Sequence, residues 1–354
     1  RGFLFQGQQP VRVRRMQPNP TKKVAMPLQN VLRILLVVPR PEDKMAGLID
    51  HRAATRALLE AVDALGDFAE LHILESPTFP ALTQKIREAK NLGKPFSVVH
   101  FDGHGVFDKN KGLGALCFES AEEAEQEKIT ERATAILDAK ELAAELDQLR
   151  IPLFFLDACQ SAQTDHDPTA SVAATLLENG VASVAAMSHS VLVPAAEKFA
   201  IAFYKKLAEG SLIGSAMLAG QQALHNDSVR LDLPDGEKLR LQDWFVPVLF
   251  QEEKDPQLVR SVPGARVRRI LDEQWKVKMG ATPPAPAHGF VGRDRELLAL
   301  ERLLLRERYA VLIGQGGAGK TTLATELARW LCRTRRFGRL AFVSFEFLSD
   351  TRAA

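Results

Sequence analysis

"FSVVHFDGHG" (Phe96–Gly105) is the stretch on which the fold turns. Its first six residues form a short, mostly apolar run with two valines in series, the pattern of a strand buried in a sheet. The run then breaks into Asp-Gly-His-Gly, so an acid and a histidine stand at its carboxyl end. Glycines on both sides of His104 suggest a close backbone approach and freedom for the imidazole to swing. The stretch alone leaves three readings open: a turn with a polar rim, half of a metal site, or half of a catalytic pair. A zinc site needs three or four ligands. His100, Asp102 and His104 would supply part of one, but no CxxC pattern elsewhere in the chain completes it.

Outward from this stretch, strand-like and helix-like segments alternate. Val31–Pro39, Phe68–Leu74, Phe96–Phe101, Leu113–Glu119, Ile151–Ala158, Val181–Met187 and Trp244–Phe250 read as strands. His51–Leu65, Leu82–Leu92, Ala139–Leu149, Thr169–Glu178, Ala195–Ala208 and Ser211–His225 read as helices. Such alternation predicts an α/β domain around a mostly parallel sheet, and near-continuous apolar strands predict helices on both faces. Ligands of such sheets bind at the carboxyl ends of the strands. His104 follows one predicted strand and Cys159 follows another.

"FFLDACQSA" (Phe154–Ala162) supplies the partner, with its cysteine 55 residues after His104. A free thiol has a pKa near ~8.5, so a nucleophilic cysteine needs a base. A histidine on a neighbouring strand end supplies one. The backbone N–H groups of Gly105 and Cys159 are the candidate oxyanion donors. A lone cysteine in an apolar strand is more often core; the Asp-Ala-Cys-Gln-Ser context after the strand favours the nucleophile. Ser161 lacks the G-x-S-x-G elbow of a serine nucleophile. His100 falls inside the strand pattern and reads as core. Cys117, His166, His189 and His225 have no motif context.

Together, "HFDGHG" and "LFFLDACQSA" resemble the CHAT branch of the caspase-like cysteine peptidases. The likeness extends to "NGVASVAAMSHSVLVPAAEKFAIAFYKKLAEGSLIGSAMLAGQQAL" (Asn179–Leu224) and "DWFVPVLF" (Asp243–Phe250), covering roughly Val31 to Phe250. It implies His104 as general base and acid, Cys159 as the nucleophile that forms a thioester, and no cofactor for that chemistry. Relatives with arginine or lysine specificity carry an acid two residues before the cysteine. Asp157 stands there, which implies a basic P1 residue held by a carboxylate. Asp102 is a second candidate for the pocket rim, with a loop hydrogen-bonder as the plainer alternative. "MSHSV" departs from the Trp-containing segment of many relatives.

"GQGGAGKT" (Gly314–Thr321) matches G-x-x-x-x-G-K-[ST] between the predicted strand "YAVLI" and the helix "TTLATELARWL", the context that makes the pattern a phosphate cradle. Gly314, Gly316, Gly317, Gly319, Lys320, Thr321 and Thr322 are the candidate binders of ATP or ADP, with Thr321 reaching Mg²⁺ through the nucleotide. "FVGRDREL" (Phe290–Leu297) upstream and "LAFVSFEF" (Leu340–Phe347) downstream resemble the start of a STAND or AAA-like NTPase. No apolar strand ending in acids follows Lys320, so autonomous hydrolysis is not expected. The segment is expected to be the first part of a P-loop α/β domain within a longer protein.

The expected organisation is a basic arm over 1–28, a CHAT domain over 29–253, a Pro/Ala-rich linker over 254–288 and the partial NTPase over 289–354. No acid occurs before Glu42, while Arg12, Arg14, Arg15, Lys22 and Lys23 are basic. The arm reads as a solvated leader, with a polyanion contact as the alternative. Across 354 residues, 46% are apolar and 25% charged, ordinary globular values that need no disulfide or metal staple. Net charge is +2, which argues neither for nor against nucleic acid, and nucleic acid is not an expected partner. Three scattered cysteines fit a reducing cytoplasm, and no signal peptide or membrane span is expected. The function this predicts is a cytoplasmic cysteine endopeptidase under a nucleotide switch. Its partners would be a protein substrate and other copies assembled through the NTPase domain, as in bacterial immune or cell-death effectors. The alternatives are a non-proteolytic, nucleotide-switched adaptor, and an ATPase that the first domain merely regulates.

Overall fold

The structure is a computed structural model that describes residues 15–16, 28–43, 52–63, 65, 68–108, 113–122, 132–149, 151–160, 168–178, 181–189, 191–233, 236–251, 254–260, 282–286, 289–334 and 336–344. Two compact units divide the chain, Arg1–Val267 and Arg268–Ala354.

Unit 1 is built on a mostly parallel sheet. Its central strands are β2 (Leu32–Val37), β4 (Val98–Asp108) and β7 (Leu153–Gln160). Parallel pairing joins β2 to β4, β4 to β7, and β7 to β8 (Ser183–Met187). On one flank, β3 (Ala69–Ile73) pairs parallel to β2. On the other, β11 (Pro247–Gln251) runs antiparallel to β8. Helices α1 (Ala53–Asp63) and α2 (Phe79–Asn91) carry the crossovers among β2, β3 and β4. Helices α3 (Ala139–Leu149), α4 (Pro168–Glu178), α5 (Val193–Ala208) and α6 (Ile213–Asn226) complete the layers.

Strand composition explains the layering. β2 reads Leu-Arg-Ile-Leu-Leu-Val and is covered along nearly its whole length, as a strand sandwiched by helices must be. One face packs Phe101, Phe118, Phe154 and Leu156 with Leu142 and Leu146. On the other, Phe155 meets Phe199 and Phe203 of α5, at ring separations of 6.0 and 5.6 Å. α2 begins three residues before the predicted start, because the Thr78 side chain accepts a hydrogen bond from Ala81 N and Pro80 sits in the first turn.

Several expectations need correction. β4 and β7 run past Phe101 and Ala158, so His104 and Cys159 lie within strands rather than after them. β4 continues because β5 (Leu113–Glu119) turns back on it, from Gly105↔Leu116 to Asp108↔Leu113. β6 (Thr134–Asp138), antiparallel to β5, was not predicted; it is only half covered and so lacks an apolar signature. The same holds for the exposed hairpin of β9 (Val229–Asp232) and β10 (Lys238–Arg240). Within the predicted arm, Arg15–Met16 form a short strand, β1, parallel to β11, with the Arg15 guanidinium 5.2 Å from the Phe250 ring centroid. Pairing with an open sheet edge is tertiary and leaves no local pattern. Most other residues of the arm, and much of the linker, lie outside the described residues.

Unit 2 pairs α7 (Asp294–Glu307) with α8 (Lys320–Arg333) over Leu297, Leu323, Leu327 and Leu331. The predicted strands at 309–313 and 340–347 do not form over their described residues; Val311 and Ile313 are exposed. An apolar segment becomes a strand only through a ladder partner, and none faces it among the described residues. Residues 345–347 lie outside them. Among the described residues, no helix is long and apolar enough to cross a membrane.

Gly220 fixes how α5 meets α6: a Cβ there would lie 2.4 Å from the Phe199 ring. That ring is fully buried and stacked on Phe203, so it has no room to retreat. Gly220→Ala is expected to destabilise unit 1 by ~1–3 kcal/mol, read as a lower urea midpoint.

Candidate active site

The site is assembled by one register. β4 and β7 pair in parallel as His100↔Phe155, Phe101↔Leu156, Asp102↔Asp157, Gly103↔Ala158 and His104↔Cys159. Neighbouring strands lie about 4.8 Å apart and alternate residues share a face. His100, Asp102 and His104 therefore form one row, and the β7 backbone brings Cys159 alongside His104 at the carboxyl end.

The bottom of the row is closed. The His100 ring stacks on Phe155 at 4.4 Å with an interplanar angle of 7°. Its Nδ1 shares a 2.7 Å hydrogen bond with the Tyr204 hydroxyl, while Nε2 has no partner among the described residues. Burial pushes the His100 pKa down to about 3, so this imidazole is neutral at every working pH. Its predicted core role stands, but it shares the face of His104 rather than alternating away from it.

Above it lies a charged layer. Asp102, a candidate for the pocket rim with a loop hydrogen-bonder as the plainer expectation, is buried and ion-paired with Arg40 Nη2. Arg40 Nη1 donates to the carbonyls of Asp102 at 2.6 Å and Pro39 at 2.9 Å. Arg40 occupies the gap in the sheet between the last β2 pair, Val37↔Phe101, and the first β5 pair, Gly105↔Leu116. Asp157, beside Asp102, is partly exposed, and its carboxylate makes no hydrogen bond with the described residues. Its carboxyl pKa is pushed up to about 7, first by burial and then by the Asp102 charge, against the pull of Arg40. Burial, with the Asp157 charge adding to it, also holds the Tyr204 hydroxyl well above its usual range.

At the top, His104 is only 5% exposed. The glycines beside it are extended, not left-handed. Gly103 is needed for packing instead, since a Cβ there would sit 2.9 Å from the Phe101 ring. Gly105, a predicted oxyanion donor, lies in the ladder with register partners in both β5 and β7. Ser161 and His166 lie outside the described residues. Cys117 is buried in β5, which pushes its thiol up to about 11 and makes it inert at neutral pH. His189 Nδ1 is 3.0 Å from Ser188 Oγ, and the His225 ring packs edge-on to Trp244. Among the described residues, no cluster of His, Cys, Asp and Glu suits a metal ion. Arg40 was missed in the sequence because its only local signal is the arginine after "LLVVP".

In unit 2, Gly317 (φ 76°) and Gly319 (φ 79°) take left-handed backbone that carries the loop into the first turn of α8. Lys320 Nζ donates to the carbonyls of Gly314 at 2.9 Å and Gln315 at 2.8 Å. The Arg293 guanidinium approaches the place where a Gly319 Cβ would stand, at 3.7 Å.

The CHAT domain model matches residues 4–254 of this chain. The chain belongs to the CHAT-domain family. A solved structure described as "Structure of Protease" is similar at 13% identity and a TM-score of 0.38, covering 66% of this chain and 50% of that one. The Arg-specific cysteine proteinase gingipain R is similar at 12% identity and a TM-score of 0.37, covering 66% and 48%. The chain thus spans about half the length of these structures. Among curated proteins, none matches it.

Asp157 gives the CHAT domain a pH signature. Its folded pKa lies above its ordinary value near 3.8, so the native state holds the proton more tightly, and stability is lost as pH rises from about 4 through 7. Asp157→Asn removes that loss. The variant is expected to match the parent at pH 4 and to exceed it by ~1–3 kcal/mol at pH 8, measured by urea unfolding at both pH values.

Proposed function

We propose that this CHAT domain is a cysteine endopeptidase with a His104–Cys159 dyad that cleaves protein substrates after a basic P1 residue. The observation that carries the reading is the register His104↔Cys159 with Asp102↔Asp157 one layer below. Chemistry and specificity then share one strand pair, at the sheet end where α/β proteins bind ligands.

In this reaction Cys159 Sγ attacks the scissile carbonyl and its proton passes to His104. The amine leaves with that proton, and a thioester remains. Water, deprotonated by His104, then hydrolyses it. The backbone N–H of Cys159 would hold the oxyanion in both steps; Gly105, the other candidate donor, lies in the ladder between β5 and β7. Asp157 would take the P1 guanidinium or ammonium.

The same reading makes unit 2 a nucleotide switch. The loop 314–321 would hold ATP or ADP with Mg²⁺, Thr321 reaching the ion, and the helix start at Lys320–Thr322 facing the phosphates. Lys320 would exchange its two loop carbonyls for phosphate oxygens. Nucleotide-driven self-assembly of the chain in the cytoplasm would then gate cleavage, as suits an immune or cell-death effector.

Two measurements test this. With ATP and Mg²⁺ present, the chain should cleave arginine and lysine reporter peptides, and Cys159→Ala or His104→Ala should lower kcat/KM at least about a thousandfold. Equal cleavage by the Cys159→Ala chain rejects the dyad. Absence of cleavage in both, with nucleotide bound, favours the adaptor role. Separately, Mg·ADP at ~100 times its Kd should stabilise unit 2 by ~2.7 kcal/mol, and Lys320→Ala should abolish that gain in a thermal-shift assay.

A further inference from the structure

Three formal charges meet between β4 and β7: the carboxylates of Asp102 and Asp157 on register-paired positions, and the Arg40 guanidinium. They are not arranged symmetrically. Arg40 spends Nη1 on two carbonyls, those of Pro39 and Asp102, and Nη2 on the Asp102 carboxylate. Its own backbone N–H donates to Glu119 Oε1 at 3.1 Å, and Glu119 in turn lies 3.8 Å from Arg132 Nε. Arg40 is therefore tethered on the Asp102 side by backbone and side chain together. Asp102 is 6% exposed, whereas Asp157 is open to solvent in part and its carboxylate has no hydrogen bond among the described residues.

We propose that Arg40 is a specificity-determining residue: by neutralising Asp102 it leaves Asp157 as the carboxylate that accepts one cationic side chain of a substrate. The inference rests on the reading above that Asp157 receives the P1 group, and it adds what keeps that carboxylate available. With Asp157 ionised, as a bound cation would make it, the two acids and one guanidinium sum to a single negative charge. A pocket with that sum takes one monovalent cation and leaves no charge uncompensated. Two bare carboxylates in neighbouring register would instead share a proton. A guanidinium forked onto Asp157 would close the pocket.

This makes a prediction that a merely structural ion pair does not. Asp102→Asn keeps Asp157 but frees Nη2 of Arg40, whose guanidinium already acts on Asp157 through space. Arg40 then becomes the counter-ion of Asp157, and substrate cations are excluded. Removing both members, Arg40→Met with Asp102→Asn, restores the single negative charge on Asp157. Replacing a buried ion pair by neutral groups of similar volume is often tolerated, so this double variant is also the safer one to fold.

The experiment uses the full chain carrying Cys159→Ala, so that nothing is turned over. Its probes are an acetylated tripeptide amide ending in arginine and the same peptide ending in citrulline, the neutral isostere. Binding is measured by calorimetry, and each variant's melting is recorded. The parent should prefer arginine; Asp157→Asn and Asp102→Asn should each weaken arginine binding about tenfold or more, with citrulline unchanged. The double variant should return to within about threefold of the parent. Arginine preference retained in Asp102→Asn, while Asp157→Asn loses it, overturns the role of Arg40 and leaves the pocket reading intact. Preference retained in Asp157→Asn, or absent in the parent, overturns both, while Cys159-dependent cleavage is judged by the reporter assay. Should Asp102→Asn fail to fold, the double variant decides alone: loss of arginine binding in its folded state overturns the proposal.

Discussion

The parallel ladder between β4 and β7, in register from Val98↔Leu153 to Gly105↔Gln160, is the constraint on which the rest of the CHAT domain depends. Side chains alternate along a strand, so a slip of one residue would send a whole row to the other face. Here that row begins with the His100–Phe155 stack, continues with Asp102 and Asp157, and ends at His104, in register with the Cys159 backbone. The stack and the Tyr204 hydrogen bond pin the register at its buried end. Phe199 and Phe203 of α5 close over the same spot. The geometry around Asp102 and His104 is thus decided two to four residues deeper along the strand.

That register places charge where charge is costly. Two carboxylates stand side by side in a partly covered layer, and only one has a guanidinium bound to it. Burying ions without partners is expensive; Arg40 pairs directly with Asp102 and reaches Asp157 only through space. The remaining cost appears as a proton held on Asp157 near neutral pH. A fold selected for stability alone would fill this position with an apolar residue. In the proposed peptidase, the carboxylate regains its counter-ion from the substrate, so the cost is recovered in the bound state.

Much of this was readable in the sequence, and the exceptions have physical causes. The apolar runs around Val98–Val99 and Leu153–Leu156 signalled buried strands, and the spacing of His104 and Cys159 led to the family that the chain belongs to. Strand ends were misread because Asp102–Gly105 looks like a turn; the antiparallel return of β5 holds it extended. Half-exposed pairs such as β6 and the β9–β10 hairpin carry no apolar period to detect. Arg40 stayed hidden because its partner lies 62 residues away and nothing local marks an arginine that will be buried. The burial of Asp102 is hidden for the same reason, since its counter-ion is distant in sequence. In unit 2, "YAVLI" had the composition of a strand, but composition does not supply the neighbour that a strand needs.

The most direct test of the account is the site of covalent capture. The nucleotide-loaded chain would be treated with a peptidyl acyloxymethyl ketone ending in arginine, digested, and mapped by mass spectrometry. Cys117 is buried with a raised pKa and Cys332 is buried, so both should stay unmodified. The account predicts one adduct, on Cys159, lost in the His104→Ala chain. Labelling of Cys117 or Cys332 in place of Cys159, or Cys159 labelling indifferent to His104, would contradict it.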